Sequence, residues 1–398
     1  MKIKVNGWKA SGIAAMGRCL VAAALMTAGA AQAQVQGVTN TEIVLGAVLD
    51  LSGPVASAGT PERDGMILAV EEINAAGGVN GRKIRLLVED AAYDPKRGVL
   101  VTQKLISEDK VFATIGSFGS AIVQATMPMS IERGVPLLFP MVGTDIAHLP
   151  YHPLKFGLFT GSTAQTRAGV KYAYDKLGKR RFGILYQDDE TGLGALRSAE
   201  EQLKVFGLKF IETTSYKRGD TNFSAQIARL KAANVDVVIL GTIVREAAGA
   251  AIEAKAQNWQ VDMVSPWATT AIITLGGAAV EGLYATTQFP GPGDNPSAPY
   301  KAIVDRFTAR FGRPMTDQGS TGYGYTAIML FAEGATKAGR DLTTQTFSRG
   351  MEQVRNFKTA FEMPSISYGP NQHGSSNEIF VMQAKGGKWV KIDGPLSY

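Results

Sequence analysis

From residue 42 onward, short apolar runs alternate with segments whose apolar residues recur every three or four positions. EIVLGAVL (42–49) is almost wholly apolar, the pattern of a strand covered on both faces. Met66, Ile67, Ala69, Val70 and Ile73 then fall on one face of a helix predicted over 62–75, with Gly77 placed to end it. IRLLVE (84–89), a helix near 95–108, VFATI (111–115), a helix near 121–133 and PLLFP (136–140) continue the rhythm. A second series is predicted from LKFGLF (154–159) through a helix near 164–178, RFGILY (181–186) and a helix near 193–206. It goes on with LKFIETTSY (208–216), a helix near 223–233, VDVVIL (235–240) and a helix near 246–257. Strand–helix alternation of this kind predicts two α/β lobes, each a parallel sheet covered by helices. FPGPGDNPSAP (289–299) is the clearest boundary. The helical patterns at 297–311 and 319–338 bring no strands with them, so they are expected to return to the first lobe.

The first residues break this pattern. A basic stretch, an apolar run from Cys19 to Ala30 and the small-residue site Ala31-Gln32-Ala33 read as an export signal cleaved after Ala33. Arg18 before Cys19 is wrong for lipoprotein processing, so no lipid anchor is expected. Cys19 is the single cysteine, and the mature chain is therefore expected to carry no disulfide and no thiol chemistry. No later apolar run approaches bilayer-spanning length, which predicts a soluble periplasmic product. Residues 1–33 hold four basic residues and no acid, leaving 37 basic against 35 acidic residues. Such a balance gives no reason to expect a nucleic-acid partner.

Enzyme chemistry finds little support. TGLGALR (191–197) carries Arg197 where a dinucleotide-binding turn needs its third glycine. No phosphate loop for ATP is present, and IGSFG (115–119) misses the nucleophile-elbow pattern by one residue. His148 and His152 have metal-pair spacing, but Pro150 and Pro153 argue against a helix, so exposed loop histidines are expected. His373 falls in a Gly/Ser/Asn-rich stretch. No cofactor or metal is expected. Binding remains: open parallel sheets take ligands at the carboxyl ends of their strands. Ser120 is predicted to N-cap the helix after VFATI, and Thr144 follows PLLFP in MVGTD. Capping is the default role for either alone. Two on consecutive strands point to a carboxylate site, where helix N-termini add about 0.3–2 kcal/mol.

LSGPVASAG (51–59), EEINAAGGVNGRKIRLLVEDAAYDP (71–95), IGSFGSA (115–121), GVPLLFPMVGTD (134–145) and DTNFSAQIARLKAANVDVVILG (220–241) resemble, in order and spacing, the periplasmic leucine/isoleucine/valine-binding family of ABC importer solute receptors. The resemblance implies a type I periplasmic binding protein fold with two Rossmann-like lobes and three hinge crossings. Lobe one would comprise 34–155 and 290–364, and lobe two 156–289 and 365–398. It also implies a monomer that traps its ligand between the lobes and delivers it to an inner-membrane permease. Ser120, Gly143 and Thr144 match the family's carboxylate-binding positions, with Val142 beside them, and Phe118 is a further expected ligand-binding residue. The family's acidic partner for the α-amine is replaced by Trp267, in Ser265-Pro266-Trp267. Ile243, Ala58, Thr191 and Ser320 stand where the family often carries aromatics. These departures favour a small carboxylate lacking an α-amine: an aromatic acid, or a branched oxo or fatty acid. Alternatives stay open. Trp267 packs the lobe, or Glu246, Asp188 or Asp189 supplies the amine's partner and the ligand is an amino acid. Arg245 and Arg167 are candidate second carboxylate partners, and one of Tyr323 and Tyr325 is expected to face the cleft. A ligand-presenting sensory module and an exported α/β enzyme are the rival functional classes.

Overall fold

The computed structural model describes residues 1–2, 35–158, 161–291, 296–361, 363–374 and 378–396. The expected signal, apart from its first two residues, and its cleavage point lie outside them. Gln36–Tyr398 form one compact unit, which holds both sheets.

The first sheet contains β1 (Glu42–Leu49), β2 (Lys83–Asp90), β3 (Ala113–Ile115), β4 (Leu137–Leu138) and β5 (Lys155–Phe156), in the order β2-β1-β3-β4-β5 and parallel throughout. Helices α1 (Ala56–Ala75), α2 (Pro95–Ser107) and α3 (Ser120–Glu132) link its strands. Every residue of β1 after Glu42 is buried, as a strand covered on both faces requires. α1 starts six residues before the apolar periodicity that predicted it. The reason is that buried Asp50 accepts from the amides of Gly53 (2.5 Å) and Val55 (2.8 Å), folding the turn that leads into the helix. LKFGLF does not open a second series. Its Lys155 and Phe156 pair with Leu137 and Leu138 as the edge strand of the first sheet. An apolar run carries no label of which sheet it joins.

The chain then crosses to α4 (Gly161–Asp175), β6 (Phe182–Gln187), α5 (Glu190–Val205), β7 (Glu212–Tyr216), α6 (Ser224–Ala232) and β8 (Val237–Gly241). α7 (Val244–Ala256), β9 (Asp262–Ser265), α8 (Thr270–Gly276) and β10 (Tyr284–Thr287) complete this pass. A second crossing leads to α9 (Ala298–Phe311), α10 (Gln318–Ala338) and α11 (Thr344–Met351), and a third to β11 (Ile379–Lys385) and β12 (Lys388–Leu396). The second sheet runs β12-β11-β10-β9-β8-β6-β7, parallel from β10 to β7, with β11 and β12 antiparallel at the other edge. Central β8 is buried at every residue, whereas outer β7 alternates exposed and buried positions towards its end.

The returning helices do cover the first lobe. α10 lies against α1 so closely that a Cβ on Gly65 would meet the Thr321 carbonyl oxygen at 1.9 Å, and one on Gly324 the Glu62 carbonyl oxygen at 2.0 Å. The histidines are less exposed than expected. His373 is 2 % exposed and stacks on Phe156 at 3.8 Å, while His148 and His152 are half-buried beside the same crossing.

Candidate functional site

Turns leaving the carboxyl ends of both sheets enclose a cavity of about 60 Å³, several times the space one water needs. The first lobe contributes Val55 and Ala58 after β1, Tyr93 after β2, Phe118 to Ser120 after β3, Met141 and Gly143 after β4, and Ser320 at the start of α10. The second lobe contributes Thr191 after β6, Ile243 and Val244 after β8, and Trp267 and Thr269 after β9. Among the described residues lining it, none is Asp, Glu, Lys, Arg or His. Four helices begin at this cavity with no side chain capping them: α1 after Val55, α3 after Gly119, α7 after Ile243 and the seven-residue α8 after Thr269. In α1 the amides of Ala56 and Ala58 are taken by the Gly53 and Val55 carbonyls; the helix ends together still give the cavity a positive bias without any ionised side chain.

Ser120 is not the N-cap. Gly119 occupies that position at φ 100°, where a Cβ would lie 2.9 Å from the Tyr93 ring, so only glycine fits. Ser120 therefore starts the helix, 1 % exposed, and its Oγ accepts from the Gly143 amide at 2.8 Å. A hydroxyl used as an acceptor still has its own hydrogen to donate. Of the ten positions expected from the sequence, Ser120, Gly143, Thr191, Ile243, Trp267, Ala58, Phe118 and Ser320 come together on the cavity wall. Val142 and Thr144 do not. Val142 packs into a core cluster with Val123, Leu137 and Ala147. Thr144 precedes a short 3-10 turn without capping it, and its Cγ2 would touch a Cβ on Gly194 of α5 at 3.0 Å. It lies in the seam between the lobes.

The second lobe's wall is built by hydrogen bonds. Trp267 donates its indole N–H to the Thr242 carbonyl (2.9 Å) and its amide to Ser265 Oγ (3.1 Å), so it both holds the β8 and β9 turns together and forms the wall. Thr191 opens α5, whose cap Asp189 accepts from the Thr191 amide (3.0 Å) and pairs with Arg218 (2.6 Å). That cap role removes Asp189 as an amine partner, and Asp188 is exposed. Glu246 is fully buried and pairs with Arg245 (2.6 Å) through Oε1; burial pushes its carboxyl above the usual range, and Arg245 pulls it back. Arg245 is thereby engaged, and Arg167 bonds Gln202 (3.1 Å); neither lines the cavity. Neither Tyr323 nor Tyr325 does so, because their hydroxyls go to the Phe139 carbonyl (2.8 Å) and to Glu72 (2.6 Å). Ser320 donates to its own cap, Asp317, at 2.9 Å.

Sequence reasoning missed Tyr93. It follows the carboxyl end of β2, which was the available signal, and it sits at φ 56°. Burial first, then the charge of Asp189, pushes its phenol up to about 12, against hydrogen bonds from Thr191 and Gln187. Arg218 lies over its ring at 4.7 Å and donates to its carbonyl at 2.8 Å, joining the two lobes beside the cavity. Val55, Gly119, Met141, Val244 and Thr269 were also missed, although most adjoin expected positions.

The family described as periplasmic binding protein matches over residues 42–388. An amino acid binding protein of Pseudomonas aeruginosa is 28% identical over 305 residues, covering 75% of this chain and 79% of its own. Leu/Ile/Val-binding protein homolog 2 of Brucella abortus is 27% identical over 367 residues, or 91% of this chain and 94% of its own. An ABC transporter solute binding protein from R. palustris, solved with benzoate, superposes with a TM-score of 0.78 at 20% identity over 89% of this chain and 96% of its own. A fatty acid ABC transporter substrate-binding protein from Thermomonospora curvata gives 0.79 at 22% identity, over 92% of this chain and 95% of its own.

Proposed function

We propose, for a chain that belongs to the periplasmic binding protein family, that it captures a small carboxylate lacking an α-amine and passes it to an inner-membrane ABC permease. The electrostatics of the cavity carry this proposal. Uncapped helix ends and the Ser120 hydroxyl bias it towards an anion, and among the described residues no carboxylate lines it to receive an ammonium group. A buried ammonium without a partner costs several kcal/mol, enough to cancel useful affinity. Ser120 and the Gly143 turn anchor the acid group from the first lobe, with Val142 and Thr144 fixing that turn on either side. Trp267 gives a flat apolar wall for a ring, and Ala58, Ile243 and Thr191 leave it room. Benzoate in the R. palustris neighbour and the fatty acid named for the Thermomonospora curvata protein agree with such a ligand. A ligand touching both lobes selects the closed arrangement, which is the form a permease recognises. The protein acts in the periplasm as a monomer, after cleavage behind Ala33, and catalyses nothing itself.

An amino-acid ligand is the second reading. It is favoured by the names of the relatives and by Glu246, whose Oε2 is buried without a hydrogen-bond partner. A thermal-shift and calorimetric panel of benzoate, 4-methyl-2-oxopentanoate, octanoate, leucine, isoleucine and valine separates the two. Ligand at 100 times its Kd adds about 2.7 kcal/mol of stability. Stoichiometric binding of leucine or valine, with no response to the deaminated acids, overturns the proposal.

A further inference from the structure

We infer that the second lobe holds a polar subsite for a neutral hydroxyl, so that the preferred ligands are carboxylates carrying a hydroxyl on the side remote from the acid group. This rests on the proposed carboxylate function and adds what the far end of the ligand must be.

Three side-chain oxygens of the second lobe are buried and have no hydrogen-bond partner: Oγ1 of the wall residue Thr269, and Thr242 Oγ1 and Glu246 Oε2, whose residues do not themselves line the cavity. Thr242 and Thr269 belong to the turns that leave β8 and β9, neighbouring strands in register through Ile239 and Val264, and Glu246 to the first turn of α7. Thr269 is on the cavity wall, and Thr242 directly precedes the wall residues Ile243 and Val244. Buried oxygens are paired almost everywhere in folded proteins, so three unpaired ones beside one cavity call for a cause. Poor construction of the turn is not that cause, because its other polar groups are matched. The Thr242 and Thr269 carbonyls each accept an indole N–H, from Trp267 (2.9 Å) and Trp389 (2.8 Å). The Ile243 amide donates to the Tyr216 hydroxyl (3.4 Å), and Arg245 holds Glu246 Oε1 (2.6 Å). Both threonine backbones are thus fixed while their hydroxyls are left over.

The chemistry of the leftover set selects the group it takes. The two threonine hydroxyls offer both donors and acceptors, which complements a group that donates one hydrogen and accepts another. A second carboxylate would bring a like charge towards the Glu246 carboxyl behind these turns. A cation would meet an acid already paired with Arg245. A hydroxyl meets neither obstacle. Ser120 stands on the other lobe, so a ring with its acid at Ser120 and its hydroxyl at Thr269 spans the cleft.

Calorimetry with benzoate, 4-methylbenzoate, 3-hydroxybenzoate and 4-hydroxybenzoate tests this on the wild-type protein and on Thr269→Val and Thr242→Val. One hydroxybenzoate is expected to bind about threefold to tenfold more tightly than benzoate and 4-methylbenzoate, the worth of one neutral hydrogen bond. That preference falls to within about twofold in Thr269→Val, whose fold should survive because the Thr269 side chain caps nothing. Benzoate bound as tightly as both hydroxybenzoates overturns the subsite and leaves the carboxylate function standing. So does a hydroxyl preference that persists in both variants. Binding of leucine with no aromatic acid overturns both.

Discussion

Ser120→Ala is the most direct probe of the anion site. The side chain is 1 % exposed, and its Oγ serves two purposes: it accepts from the Gly143 amide at 2.8 Å and keeps a hydrogen to donate to a ligand. A hydrogen bond to a charged group contributes about 1.5–3 kcal/mol, which is roughly a 10- to 150-fold loss of affinity when removed. The neutral bond to Gly143 contributes about 0.5–1.5 kcal/mol to stability. Unfolding entropy of about 2 cal/mol/K per residue over about 360 residues turns that into a Tm loss of only about 1–2 °C. Binding and folding therefore respond on different scales. Calorimetry with benzoate, or with whichever acid the panel identifies, measures the first, and a melting curve without ligand the second. Ser120→Cys restores volume but only a weak donor, so it should lie between alanine and wild type. Affinity within twofold of wild type in Ser120→Ala, with the small Tm change as expected, would refute the placement of the acid group at Ser120.

Gly194→Val pushes a branched side chain from α5 against Thr144 Cγ2 and the Gly143 carbonyl, 3.0 and 3.5 Å from the position of a Cβ. Overpacking of about 1–3 kcal/mol should fall on the closed arrangement, so affinity drops roughly 5- to 150-fold and small-angle scattering no longer shows ligand-induced compaction. Arg218→Ala removes the contact with the Tyr93 carbonyl and ring and should cost about 1 kcal/mol of closure, seen as a roughly fivefold faster ligand release in stopped-flow fluorescence. Glu62 is fully buried with no partner for either carboxyl oxygen, and burial pushes its carboxyl well above the usual range. An acid whose folded value is raised opposes folding above its unfolded value of about 4.3. Glu62→Gln should therefore raise Tm by about 1–3 °C at pH 7.5, and the gain should shrink as pH falls towards 4.

Much of the fold was legible because burial on both faces writes itself into strands. β1, β3, β6 and β8 coincide with apolar runs, and helices such as α2 and α3 with the periodic segments between them. LKFGLF misled because its composition suits either sheet, and its membership is decided by pairing with Leu137 and Leu138. Thr144 misled for a related reason. A hydroxyl after a strand at the ligand edge satisfies the pattern, yet its side chain meets the other lobe's α5, an orientation no local spacing reveals.

The amino-acid sequence by itself determined the alternation of strands and helices as far as α7 and the two-lobed arrangement, since both depend on residue type and position alone. Tertiary structure decided which groups share the cavity. Tyr93, Ser120, Thr191, Trp267 and Ser320 lie far apart along the chain and meet because the ends of two sheets face each other. It also decided which polar groups there are already used: Asp189 as a helix cap, Arg245 in an ion pair, the Ser120 oxygen as an acceptor. A hydrogen bond consumes a donor and an acceptor that come from separate elements, so what remains for a ligand is fixed only when those elements pack.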